Sequence, residues 1–154
     1  MVPVAKRLGR PRNRKLAALV DKPPGDLWLP SLARKELSGH AFRYTIVLPL
    51  LSGSGEEVFS VQQHIPDLIR LLNARFKGCT TSGDRPAYIG YWVPGAGGDS
   101  GKDRSTSLMV YSRVSDDVDE FFGHLKTALK EIGRQEEILI ERADVWLTPA
   151  ARTR

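Results

Sequence analysis

The sequence predicts one α+β domain in the order strand, helix, strand, strand, helix, strand. Three observations predict it. Residues 42–51 alternate apolar and polar side chains at period two. Two later segments carry apolar stripes at helical spacing. Gly- and Ser-rich breaks separate these segments.

The first strand covers residues 42–51, where Phe42, Tyr44, Ile46, Leu48 and Leu50 share one face. Val47 on the other face marks a central strand buried on both sides. Ser52-Gly53-Ser54-Gly55 breaks it. The first helix lies within residues 61–76, because Ile65, Leu68, Ile69, Leu72 and Phe76 form one stripe. Pro66 fits only a first turn, so the regular helix begins near Ile65, with Ser60 to His64 as a looser lead-in. Lys77-Gly78 supplies a stop.

The second strand is predicted over residues 87–93 and the third over residues 106–114. They pair as a hairpin across the glycine-rich connection 94–101. In the second helix, Ser115 is a natural N-cap and Asp116 and Asp117 suit the positive helix start. Val118, Phe121, Phe122, Leu125, Ala128, Leu129 and Ile132 make its stripe, and Gly133 ends it. The last strand covers residues 136–147. Ile138 and Ile140 oppose Leu139 there, so a bulge or burial on both faces is expected.

This element order is that of the ferredoxin-like split β-α-β unit, a four-stranded antiparallel sheet with both helices on one face. The other face stays open. Depending on strand parity it receives some of Tyr44, Tyr88, Tyr91, Trp92, Tyr111 and Trp146. An uncovered aromatic sheet face invites a partner, a second protomer or a ligand.

Charge divides the chain into three parts. Residues 1–40 form a basic, proline-rich arm holding nine Lys/Arg against three Asp/Glu, a net +6. The domain itself, residues 41–147, holds twelve Lys/Arg against fifteen Asp/Glu, a net −3. The tail, residues 148–154, adds Arg152 and Arg154. The overall +5 therefore belongs to the ends, and a nucleic-acid face spread over the whole domain is disfavoured. In the arm, Leu27-Trp28-Leu29 reads as a docking point, and residues 31–38 suit a helical turn or two.

Lys6, Arg7, Arg10, Arg12, Arg14 and Lys15 crowd into ten residues without an acid. Such a run gains affinity for polyanions through counterion release. Within it, Gly9-Arg10-Pro11 resembles the core of an AT-hook, with Leu8 where that motif prefers a basic residue. The resemblance implies nucleic-acid binding through the arm.

No set of residues in the sequence has the spacing of a catalytic or metal site. His40, His64 and His124 share no ligand spacing. Cys79 sits just past a helix C-terminus, where the dipole disfavours a thiolate. One cysteine permits no intramolecular disulfide. Asp116, Asp117, Asp119 and Glu120 read as a helix start, not as metal ligands. The connection 95–101 lacks a P-loop's Gly-Lys-Ser/Thr ending. Its position resembles that of the long effector-binding loop of PII-like signalling proteins, an analogy of fold alone. RNA-recognition domains share the topology, but their basic-glycine-aromatic signature is missing from residues 106–112. No cofactor is expected. No apolar run approaches the length of a membrane span, and no apolar core of a signal peptide follows the basic start, so the reading is a cytoplasmic protein with no membrane partner.

Arg75-Phe76-Lys77-Gly78-Cys79-Thr80, then Gly90-Tyr91-Trp92 and Arg134-Gln135-Glu136-Glu137, resemble a pattern in small, mostly uncharacterised bacterial ferredoxin-like proteins. In that pattern a helix ends Arg-Phe-Gly-Gly-x-Thr, so Lys77 replaces a glycine. The resemblance covers most of residues 42–147. It implies the fold and one domain, and it supplies no activity. The sequence thus points to a non-enzymatic binding or regulatory module that forms a homo-oligomer or meets a protein partner through its open sheet face. The alternatives are a nucleic-acid accessory protein acting through the arm and a small dimeric α+β-barrel enzyme.

Overall fold

The computed structural model describes residues 14–16, 38–83, 88–92 and 101–151. Its elements are β1 (Gly39–Leu51), α1 (His64–Phe76), β2 (Thr80–Thr81), β3 (Tyr88–Trp92), β4 (Gly101–Ser112), α2 (Asp116–Gly133) and β5 (Leu139–Leu147). Residues 14–16 add a short helical stretch. The class is α+β, as expected.

Among the described residues the sheet has five strands, which corrects the expected four. β3 corresponds to the second strand read from the sequence. β2 is the addition, and two threonines are too few to show an alternation. Both run along the same side of β4: Thr80 and Thr81 face Met109 and Leu108, while Tyr88 to Trp92 face Ser105 to Gly101. The strand order is β2-β4-β1-β5 with β3 also on β4, and every pairing is antiparallel. β1 is central, as its two-sided apolar character predicts.

The core is built on one parity of β1. Phe42, Tyr44, Ile46, Leu48 and Leu50 are buried and pack with Leu108 and Val110 of β4. The same cluster takes Ile65, Leu68, Leu71, Leu72 and Phe76 from α1, and Val118, Phe121, Phe122, Leu125 and Leu129 from α2. Both helical stripes therefore meet the same sheet face. Leu16 also belongs to this cluster and is fully buried, although it precedes β1 by more than twenty residues. Its neighbour Lys15 forms an ion pair with Glu131 of α2. The remaining arm features, including residues 27–29 and 31–37, lie outside the described residues, as do the connection 93–100 and residues 152–154.

The helix ends differ in detail from the sequence reading. Ahead of α1, Ser60 Oγ accepts the N–H groups of Gln62 and Gln63, each at 3.2 Å. In return the Ser60 N–H donates to His64 Nδ1 at 2.8 Å. This is the reciprocal logic of a capping box, with an imidazole in place of the usual carboxylate. Ser115 is the N-cap of α2 with extended backbone, but its side chain makes no capping bond. Beyond each helix a cation, not a glycine, takes the left-handed conformation: Lys77 at φ 60° and Arg134 at φ 51°. Gly133 has a different task. A Cβ there would lie 2.6 Å from the ring of buried Phe59, so the glycine lets α2 end against that ring. Among the described residues no helix is long and apolar enough to cross a membrane.

Candidate functional site

The register assigns each strand residue to one of two sheet faces, because opposed residues share a face and neighbours alternate. Arg43, Thr45 and Val47 of β1 oppose Tyr111, Met109 and Ser107 of β4. On the other side they oppose Ala143, Glu141 and Leu139 of β5. Thr80 and Tyr88 continue the same face at the β2 and β3 edge. None of these side chains belongs to the core cluster that holds the helices. No described helix packs on them, so among the described residues this is the uncovered face.

That face mixes apolar groups, small hydroxyls and one pair of opposite charges. Tyr88 and Leu139 are more than half exposed at its two sides. Arg43, in the central strand, carries a buried Nε with no hydrogen-bond partner among the described residues. Glu141 sits beside it, opposite Thr45, and neither charge forms an ion pair among the described residues. An unsatisfied buried donor costs about 1–3 kcal/mol. An acceptor brought to this face would remove that cost.

One end of the face opens into a cleft of about 500 Å³. Val47, Pro49 and Leu139 form apolar walls, Asp103 and Ser105 add polar groups, and the segment 134–137 closes one side. Among these the Glu137 carboxyl is held below its usual range by the Lys126 ammonium and the Ile138 N–H. Among the described residues the lining holds no His, Cys or Lys beside those carboxylates. Among the described residues no group of three His, Cys, Asp or Glu side chains is placed to hold a metal. The three histidines stand apart: His40 meets Asp144 at 2.9 Å, His64 is bonded to Ser60, and His124 lies beside Glu120. Burial pushes the Cys79 thiol up from its ordinary value.

The aromatic residues, some of which were expected on the open face, divide between two surfaces. Tyr111 and Tyr88 lie on the open face, and the backbone of Trp92 pairs with Gly101 at the end of β3. Tyr44 goes to the core. It is 2% exposed, stacks on Phe122 at 3.9 Å and donates its O–H to Asp119 at 2.5 Å. Burial, then the Asp119 bond, holds its phenol well above the usual range. Asp119 also accepts from Arg142 at 2.5 Å, and that guanidinium lies 4.3 Å above the Phe42 ring. Asp119, read as part of a helix start, is thus the tie between α2 and the sheet. Trp146 shares the parity of Tyr44 but lies beyond the helices, 80% exposed and stacked on His40 at 5.3 Å. Tyr91 has the helix-side parity too and is exposed opposite Lys102.

Sequence reasoning did not find Arg43, Thr45, Met109 or Glu141. For Arg43 and Thr45 the signal was the polar half of the β1 alternation; Met109 and Glu141 join them only through the register of β4 and β5. Of the six arm cations, Arg14 is exposed and Lys15 is engaged with Glu131, while Lys6, Arg7, Arg10 and Arg12 lie outside the described residues. No family model, curated protein or solved structure matches the chain.

Proposed function

We propose that this protein is a non-enzymatic binding module that associates with a second copy of itself through the open sheet face. The observation that carries the reading is Arg43: a guanidinium with an unsatisfied buried N–H, centred on a face that no described helix covers. Two copies packed face to face about a two-fold axis would bring Glu141 of one toward Arg43 of the other. Val47, Met109, Tyr111 and Leu139 supply apolar area around that pair.

The fold supports the same reading. β2 and β3 share one side of β4, and Ser82 bridges their interval by bonding Ser107 through both its N–H and its Oγ. We read them as two halves of one interrupted strand. The chain is then a five-strand variant of the ferredoxin-like split β-α-β order, an arrangement that leaves a sheet face for association.

Light scattering at rising protein concentration tests this. A dimer is expected, with Met109→Asp shifting the species to monomer while the melting temperature is retained. A chain that stays strictly monomeric at its highest soluble concentration overturns the proposal. A polar, ligand-accessible cavity between paired faces would instead favour the barrel-enzyme alternative.

A further inference from the structure

The geometry points to a second site, a recess for a phosphate group formed by the β1 turn and the start of β4. Ser52, Gly53, Ser54, Gly55, Lys102 and Arg104 line about 270 Å³. Among the described residues no carboxylate lines it. Glu56 and Glu57 follow the turn without lining the recess, and Asp103 alternates to the other side of β4, where it lines the larger cleft.

The turn is held in shape by its own bonds. The Gly55 N–H donates to the Ser52 carbonyl at 2.9 Å, the Ser52 N–H to the Glu56 carbonyl at 2.8 Å, and the Glu56 N–H to Ser52 Oγ at 3.1 Å. Gly55 takes φ +83°. Gly53 brings the turn against β4, since a Cβ there would lie 2.8 Å from the Lys102 carbonyl oxygen. That close approach sets two serine hydroxyls, 2.8 Å apart, beside two cations two residues apart on one strand. The N–H groups of Gly53 and Ser54 donate no backbone bond among the described residues.

Lys102 and Arg104 also form no ion pair among the described residues. Elsewhere Lys15, Arg70, Arg113, Lys126 and Arg142 each have a carboxylate. Unpaired cations, hydroxyls and exposed backbone N–H groups around a small concavity are the chemistry that binds a tetrahedral oxyanion. Across the ladder from Lys102 stands Tyr91, 71% exposed on the wall of the larger cleft, which shares Ser52 with this recess, so a ring attached to the phosphate would extend toward that cleft.

Amide shifts of the full chain, titrated with sodium phosphate and separately with adenosine 5′-monophosphate, test the site. Saturable shifts at Gly53, Ser54, Gly55, Lys102 and Arg104 are expected. The Lys102→Ala/Arg104→Ala double variant should weaken them by about tenfold or more, the loss typical of two charge-assisted bonds. Both side chains are exposed, so the variant is expected to fold, and its unchanged core resonances report that it has. Tighter binding of the nucleotide that Tyr91→Ala removes assigns the source to a phosphate ester; equal affinities assign it to free phosphate. Shifts reproduced by sodium chloride at matched ionic strength, or retained in the double variant, overturn the proposal.

Discussion

Lys77 and Arg134 hold the left-handed conformation at the ends of α1 and α2, at φ 60° and 51°. That region crowds a Cβ against the following carbonyl, at a cost of roughly 1 kcal/mol that glycine avoids. Lys77→Gly is therefore expected to stabilise the fold by about 0.5–1 kcal/mol, read as a rise in the denaturation midpoint with unchanged slope. Gly133→Ala should do the reverse despite better helix propensity. The new methyl meets fully buried Phe59, and overpacking of that kind costs about 1–3 kcal/mol. Tyr44→Phe should cost about 1–2 kcal/mol, because it deletes the partly buried O–H that donates to the Asp119 side chain. These positions show where sequence reading stops. Lys-Gly and Gly-Arg mark the helix ends correctly, but spacing does not say which residue turns left-handed. Nor does it say that Gly133 is small because Phe59, far away in sequence, lies against it.

The start of α1 depends on a neutral imidazole. His64 Nδ1 accepts the Ser60 N–H, which only the unprotonated ring nitrogen can do. Burial, opposed by the charges of Glu57 and Asp67, keeps its pKa below the usual histidine value. The sign follows from linkage: the unfolded chain binds this proton first. The contribution of His64 is complete above the unfolded histidine pKa of about 6.5 and is lost as pH falls through the lower folded value. Thermal melts are expected to show stability declining on acidification below about pH 6.5. His64→Asn, whose Oδ1 accepts the same bond without titrating, should flatten that part of the profile; a profile unchanged by the substitution contradicts the role. The helices were legible at this scale because their apolar stripes repeat at helical period, and five residues of each helix enter the core. The sheet was less so. β5 is apolar on both parities at its start, and β2 is two residues long, so neither announces its face or its partner. The two-face division of the aromatics needed the β1 register.

Across the whole molecule, the charge division read from the sequence meets one unexpected link. The basic arm is anchored to the domain at Leu16, which is fully buried in the core, and at Lys15, which pairs with Glu131. Composition placed the arm's cations but not this contact, since the short apolar run Leu16 to Val20, cut off by Asp21, Lys22, Pro23 and Pro24, shows no sustained period to reveal it. The anchor changes how the arm must be tested. A deletion of residues 1–20 would remove a core side chain along with the charges, and a loss of function would then report unfolding. Leu16→Ala is expected to destabilise the whole domain by about 2–4 kcal/mol, the usual cost of emptying a buried leucine site. Deleting residues 1–13 removes Lys6, Arg7, Arg10 and Arg12 while leaving Leu16 in place, and should leave the melting temperature unchanged. Chemical denaturation of both variants beside the full chain separates the two ends of the arm. A Leu16→Ala variant as stable as the parent would show that residue 16 contributes nothing to the core. With the short deletion folded as expected, salt-dependent binding to DNA or RNA can be compared between it and the full chain, and any difference belongs to the four cations removed.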